Sequence, residues 1–230
     1  MSKLRFNLNE QNVWITSDTH YGHKNICRGV TSWNIEDIDV HHAGVRDFDT
    51  LEQMNEAVVN GINNHVKENG VLIHLGDWSF GGIENILEFR KQVKCNNIYL
   101  ILGNHDHHIE RDTIIDIGDT YTCPTELFTK VSERLQFKVQ FNRKTRGKEF
   151  FCSHYAHRVW DKSHHGIMHC FGHSHGSLDH LEWGKSMDVG IDCAFKLFGE
   201  YRPFNIREVY EILKDRDVKF IDHHNENTTQ

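Results

Sequence analysis

Asp18-Thr19-His20, Asp77, Asn104-His105-Asp106, His154 and His173-Ser174-His175 are the residues whose types and spacing could do chemistry together. Imidazole, carboxylate and amide-oxygen ligands in one set suit Mn, Fe, Zn, Ni or Co better than Mg or Ca, which favour all-oxygen shells. Residues separated by one position, as in Asp18-x-His20 and His173-x-His175, can project the same way from an extended backbone and approach one ion. Asp18, His20, Asp77, Asn104, His154, His173 and His175 together are more ligands than one ion needs. Two divalent transition-metal ions sharing Asp77 would each have about four protein ligands and keep positions open for water and substrate. Taken singly, Asp18 or Asp77 reads as a cap or turn residue, and any one histidine as a surface or core side chain. Only the joint pattern points to a metal centre. A structural zinc site fits poorly, because the ligands are dispersed and no cysteines are paired.

For these side chains to meet, the chain must bring five segment ends to one edge. A short apolar, β-rich run precedes each: Val13–Thr16, Val71–Leu75, Ile98–Leu102, Glu149–Cys152 and Ile167–Phe171. Each is too short for a helix and runs into a polar or glycine-containing turn, the pattern of a buried strand. Gly76, Gly103 and Gly172 stand immediately before ligand-type residues, where close backbone approach is easiest without a Cβ. Leu51, Met54, Val58, Ile62 and Val66 recur at helical spacing between the first two runs, with Asp49 and Glu52 suited to the start and Gly70 to the end. A second helix is predicted from Ile83 to about Val93. Strand, helix, strand, helix, strand is the order of crossover units, whose carboxyl ends converge on one crevice. Further on, Val131–Phe141 and Glu149–Cys152 are expected to form a hairpin around a basic turn, and Asn205 with Glu208 to cap a last helix.

The chain has 230 residues, with 26 Lys+Arg against 33 Asp+Glu, a formal charge of −7. That balance disfavours non-specific attraction of nucleic acid, so an anionic substrate must be drawn locally. No apolar stretch approaches the roughly 20 residues of a spanning helix. The amino terminus lacks an apolar signal core, so the expected address is the cytoplasm, with no membrane partner. Six cysteines without a C-x-x-C pair read as reduced thiols. A single domain over residues 1–222 is expected, followed by a disordered polar tail over 223–230.

The ordered set Asp18-x-His20, Gly76-Asp77, Gly103-Asn104-His105-Asp106, His154 and Gly172-His173-x-His175 resembles the calcineurin-like metallophosphoesterases. Ser17-Asp18-Thr19-His20-Tyr21-Gly22-His23-Lys24-Asn25-Ile26 is similar to a small bacterial and phage subgroup of that family. The resemblance implies an α/β fold: a central β-sandwich of mixed sheets flanked by helices, in four layers. It implies Asp18, His20 and His175 on one metal, Asn104, His154 and His173 on the other, and Asp77 bridging. His105 would contact substrate or protonate the leaving oxygen, oriented by Asp106, and Asn104 would also face substrate. The implied chemistry is hydrolysis of a phosphate ester by a hydroxide shared between two ions. Protein Ser/Thr phosphatases of the family carry an Arg-containing Gly-Asp segment and Gly-Asn-His-Glu; here Asp77 is followed by Trp78-Ser79-Phe80-Gly81-Gly82, and Asp106 replaces the Glu. The segment resembles members acting on small phosphodiesters, nucleotides or nucleic acids. The expected activity is therefore a phosphodiesterase on a nucleotide or nucleic-acid end. The alternatives are a phosphomonoesterase on a small metabolite or phosphoprotein, and a non-catalytic scaffold.

Four further features are expectations from the residues. His23 could reach the site from the loop after His20 or cap a local turn. Trp78, beside Asp77, could wall the pocket and contact substrate, whereas Trp14 suits the core. Arg143, Lys144, Arg146 and Lys148 form either an exposed charged hairpin or a phosphate-steering patch. The pairs His41-His42, His107-His108, His164-His165 and His223-His224 read as solvated, with one of the first three a candidate pocket lining, and Asn63 and His65 read as surface residues.

Overall fold

The computed structural model describes residues 4–34, 44–111, 114–116, 121–144, 146–181 and 184–221; the tail 223–230, including His223-His224, and the His41-His42 pair lie outside the described residues. In chain order, β1 (Leu4–Asn7) and β2 (Val13–Thr16) precede α1 (Leu51–His65), β3 (Val71–His74), α2 (Ile83–Gln92) and β4 (Asn97–Ile101). A short α3 (His107–Glu110) and the ribbon of β5 (Ile115–Asp116) and β6 (Tyr121–Thr122) lead to β7 (Lys130–Ser132), β8 (Arg134–Gln140) and β9 (Lys148–Ser153). Then come β10 (Met168–Phe171), β11 (Ser186–Asp188), α4 (Ile191–Phe198), β12 (Phe204–Asn205) and α5 (Ile206–Leu213).

The result is a mixed α/β fold with two five-stranded mixed sheets. The first has the order β12-β2-β3-β4-β7, parallel from β2 to β7 with β12 antiparallel at one edge. As the strand–helix alternation predicts, α1 and α2 are the crossovers of its parallel core. The second has the order β1-β8-β9-β10-β11, parallel except for the β8–β9 hairpin.

Alternation along each strand decides where the core sits. Val13, Ile15, Val71 and Ile73 of the first sheet pack with Phe6, Phe137, Phe150, Cys152 and Cys170 of the second in one shared core. Trp14, Leu72, Ile98 and Leu100, on the opposite face of the first sheet, pack with Val58 and Ile62 of α1 and Ile86 and Phe89 of α2. Each such side chain contributes about 1.5–3 kcal/mol on burial. This two-sided packing makes β2, β3 and β4 continuous apolar runs and holds their carboxyl ends in register.

Local chemistry moves several expected boundaries. The N-cap of α1 is Thr50, not Asp49: its hydroxyl accepts from Gln53 N and Gln53 Oε1 accepts from Thr50 N, both at 3.2 Å. The helix ends at His65, and Gly70 closes a separate turn by donating to Lys67 O. The run Val131–Phe141 is two strands, because the chain changes sheets at Glu133 between β7 and β8. The Asn205–Glu208 capping box opens α5 as expected. All six cysteines are free. Among the described residues, no helix is long and apolar enough to cross a membrane.

Candidate metal centre

Segments leaving the carboxyl ends of β2, β3, β4, β9 and β10 converge, and the two sheets meet there. Ligand atoms of Asp18, His20 and His175 all lie within 4.8 Å of one another, as do those of Asp77, His154 and His173. Asp77 joins the groups: its Oδ2 is 3.5 Å from His20 Nε2 and 3.6 Å from His154 Nε2. Asn104 Oδ1 lies 2.9 Å from His154 Nε2. All seven residues singled out in the sequence are therefore brought together.

The backbone is strained where these side chains are presented. Six non-glycine residues among those described have φ in the left-handed region, and five are Asp18, His20, Asp77, His173 and His175; the sixth is Lys162. Such conformations cost of order 1–3 kcal/mol each and persist where the surroundings enforce them, typically at functional sites. Gly76 adopts φ +100°, and a Cβ there would lie 2.5 Å from Gly103 N and 2.7 Å from His154 Nδ1. A Cβ at Gly103 would collide with Asp77 Oδ1, so the two loops approach only as glycines.

Hydrogen bonds fix how each ligand faces. His154 Nδ1 donates to Leu75 O at 2.8 Å, which turns the Nε2 lone pair toward Asn104 and Asp77. Asp18 accepts from His173 N at 2.9 Å, tying β2 to β10 across the two sheets. Asp77 Oδ1 accepts from His105 N at 2.9 Å, leaving Oδ2 for both groups. His175 Nδ1 lies 2.7 Å from Asp192 Oδ2, and Asp192 is bound in turn by Arg46 at 2.8 and 3.1 Å. The fully buried Arg46 also donates to Asp18 O and Thr19 O, so one guanidinium fixes the first ligand loop and the carboxylate behind His175.

Electrostatically the cluster fits cations. Burial pushes the Asp18 carboxyl up to about 8; His175 opposes this, and Asp188 and Asp77 add to it. Burial drives His20 well below the usual imidazole range, with His175 adding to the effect. Burial acts downward on His175 too, but the hydrogen bond and charge of Asp192 prevail and raise it to about 9. Burial would raise Asp192, yet Arg46 and His175 hold it well below the usual carboxylate range. With Nδ1 committed to Leu75 O, His154 Nε2 and Asn104 Oδ1 face each other as two acceptors at 2.9 Å. A divalent cation would satisfy both and favour the ionised form of Asp18.

Other expectations are corrected. Trp78 is 0% exposed, packed 4.4 Å from the Phe89 ring and 5.2 Å from Phe128, so it belongs to the core and walls no pocket. Phe80, two residues on, is exposed instead, 3.9 Å from the His23 ring. His23 makes no side-chain cap; its ring stands 5.3 Å from His20 and 6.3 Å from His105, beside the site. Burial lowers its pKa to about 4, His105 contributing. Asp106 is buried and accepts from Gly103 N, Asp77 N and Trp78 N, so it clasps two ligand loops instead of orienting the His105 imidazole. Of the basic turn, Arg143, Lys144 and Arg146 lie before β9 and Lys148 is its first residue, a strand's length of about 20 Å from the end that carries His154. Asn63 and His65 stay partly exposed and outside the site, Asn63 bonded to Gln92 O and Lys94 N and His65 paired with Glu200 at 3.0 Å.

Sequence reasoning missed Arg46, Asp188 and Asp192. Asp188 accepts from Ser174 Oγ, Gly176 N and Gly190 N, and so shapes the His173–His175 loop. Its only local signal was an acidic residue at the end of a short strand, without the glycine that precedes Asp77, Asn104 and His173. Arg46 carried no such local signal.

No protein-family model matches the chain. No curated protein matches it either. A crystal structure of a protein of unknown function from Aquifex aeolicus is similar over 88% of this chain and 99% of that one, with a TM-score of 0.50 and 17% identity. At that identity the likeness is one of fold.

Proposed function

We propose that this chain is a binuclear metal-dependent phosphoesterase that hydrolyses phosphodiesters at a nucleotide or nucleic-acid end. The observation that carries this reading is Asp77, whose Oδ2 sits 3.5 Å and 3.6 Å from imidazoles of two separate ligand groups, the position of a bridging carboxylate. Asp18, His20 and His175 would hold one ion, and Asn104, His154 and His173 the other. Divalent ions of the Mn, Fe, Zn, Ni or Co class, when bound, lower the pKa of water and neutralise phosphate oxygens, which suits an anionic substrate on an acidic chain.

The protein's own groups supply the rest. His105 is half-buried beside the first group, its ring 5.4 Å from that of His20, where its imidazole can deliver a proton to a leaving oxygen. Of the serines beside the ligands, Ser17 Oγ donates to Gly76 O, Ser153 Oγ to Tyr155 O and Ser174 Oγ to Asp188. In this reading water is the attacking group. A shared core between the sheets, with α1 and α2 outside the first, supports the four-layer sandwich expected of such an enzyme. The test is turnover of bis-p-nitrophenyl phosphate and p-nitrophenyl phosphate by protein loaded in turn with Mn, Ni, Co and Zn. Hydrolysis of the diester faster than the monoester is expected. Two bound ions without turnover of either would leave a scaffold.

A further inference from the structure

A cleft of about 190 Å³ opens beside His105, lined by Ser79, Phe80, Gly81, His107 and His108 among others. The Phe80 ring is 38% exposed and stands 5.2 Å from His105, whose own ring is 5.4 Å from His20. One imidazole, that of His105, therefore stands between this cleft and the candidate metal centre. Its volume is below the roughly 300–1,000 Å³ of a site that encloses a whole drug-sized ligand, so it suits one ring system with the rest outside. Phe80 is held in place: its N donates to Tyr21 O at 2.9 Å, and Asn85 Nδ2 donates to its carbonyl. His107 and His108, with rings 4.2 Å apart, add polar edges that can donate or accept. No lining side chain is acidic.

We infer that this cleft seats the nucleobase of a nucleotide substrate, stacked on Phe80 with His107 and His108 at its edge, while the phosphate lies at the metal centre. The inference rests on the phosphoesterase reading and deepens it. An aromatic face accepts any base, so the cleft selects for a nucleoside without selecting its sequence.

The test is calorimetric binding of adenosine 5′-monophosphate and of ribose 5-phosphate to protein loaded with diamagnetic Zn, with saturation-transfer NMR on the adenine protons. The monophosphate with the base is expected to bind about tenfold more tightly. In Phe80→Ala the ratio of the two Kd values falls to about one and the adenine signal is lost; Phe80→Tyr retains both. Equal affinities in the wild type, a ratio that survives Phe80→Ala, or its loss instead on alanine substitution of Tyr155, the half-exposed ring 4.6 Å from that of His173, would overturn the cleft. If neither ligand binds protein carrying two ions, the phosphoester reading falls and the cleft with it. If ribose 5-phosphate binds and the base adds nothing, only the cleft falls.

Discussion

Asp192 stands 2.7 Å behind His175, with its Oδ2 against Nδ1, and the same carboxylate closes a two-point ion pair with the fully buried Arg46. The imidazole of His175 is thereby turned to present Nε2 to the site, and the loop of Asp18 and Thr19 is held through their carbonyls. Replacing Asp192 with Asn leaves Arg46 buried without a counter-charge and is expected to cost about 3–5 kcal/mol in urea unfolding. Loss of the carboxylate behind a ligating histidine should also weaken metal affinity about 10–100-fold by calorimetric titration. Unchanged affinity would remove Asp192 from the site's support.

Asp77 and His105 should separate metal binding from chemistry. Asp77→Asn weakens the one side chain common to both groups, so metal analysis should show fewer than two ions per chain and turnover should vanish. Retention of two ions at full occupancy would refute the bridging role.

His105→Ala leaves the ligand set intact, and its backbone N–H to Asp77 Oδ1 does not need the side chain. It should keep two ions while kcat falls about 10²–10⁴-fold, the usual size of a lost general acid. A matching fall in metal content would make His105 a structural residue.

What was legible in the sequence is what is local. Asp18, Asp77, Asn104, His154 and His173 each follow an apolar run, so strand and ligand can be read from one short window. The crossover order of β2, α1, β3, α2 and β4 follows from the same periodicities. Arg46 and Asp192 are 146 positions apart and meet only through the fold, so no window contains their relationship. Trp78 misleads for a related reason: adjacency to Asp77 suggested the pocket, but the turn that presents Asp77 directs the next side chain into the core under α2. Phe80, two residues further, takes the exposed place.

Asp106 tests whether that third motif residue orients an acid or holds loops. Its carboxylate accepts three backbone N–H groups at 2.8–3.0 Å. Asp106→Ala strands three donors, at about 1–3 kcal/mol for each one left buried and unpaired. Large destabilisation with loosened metal binding is expected. If stability holds and only the pH dependence of kcat moves, the carboxylate acts on His105 instead.

His169 gives the chain an acid limit independent of the candidate metal centre. It is fully buried on β10 and held as one tautomer: Nδ1 donates to Phe151 O at 3.2 Å, and Nε2 accepts from His157 N at 3.0 Å. Burial lowers its pKa to about 3; the Phe151 carbonyl opposes this and His157 adds to it. His74 is likewise lowered to about 3 by burial, with His154 adding. In the unfolded chain each histidine titrates near its ordinary 6.5. Above that value both states are neutral and neither residue affects stability. Below it the unfolded chain binds a proton that the folded chain refuses, so stability falls with pH down to about 3, by about 1.4 kcal/mol per pH unit for each histidine. Urea midpoints measured from about pH 7 to about pH 5 should therefore decline. In His169→Gln, which keeps an amide in the same place without a titrating ring, the decline should be shallower by one histidine's share. Parallel curves for the two proteins would mean that His169 accepts its proton without unfolding.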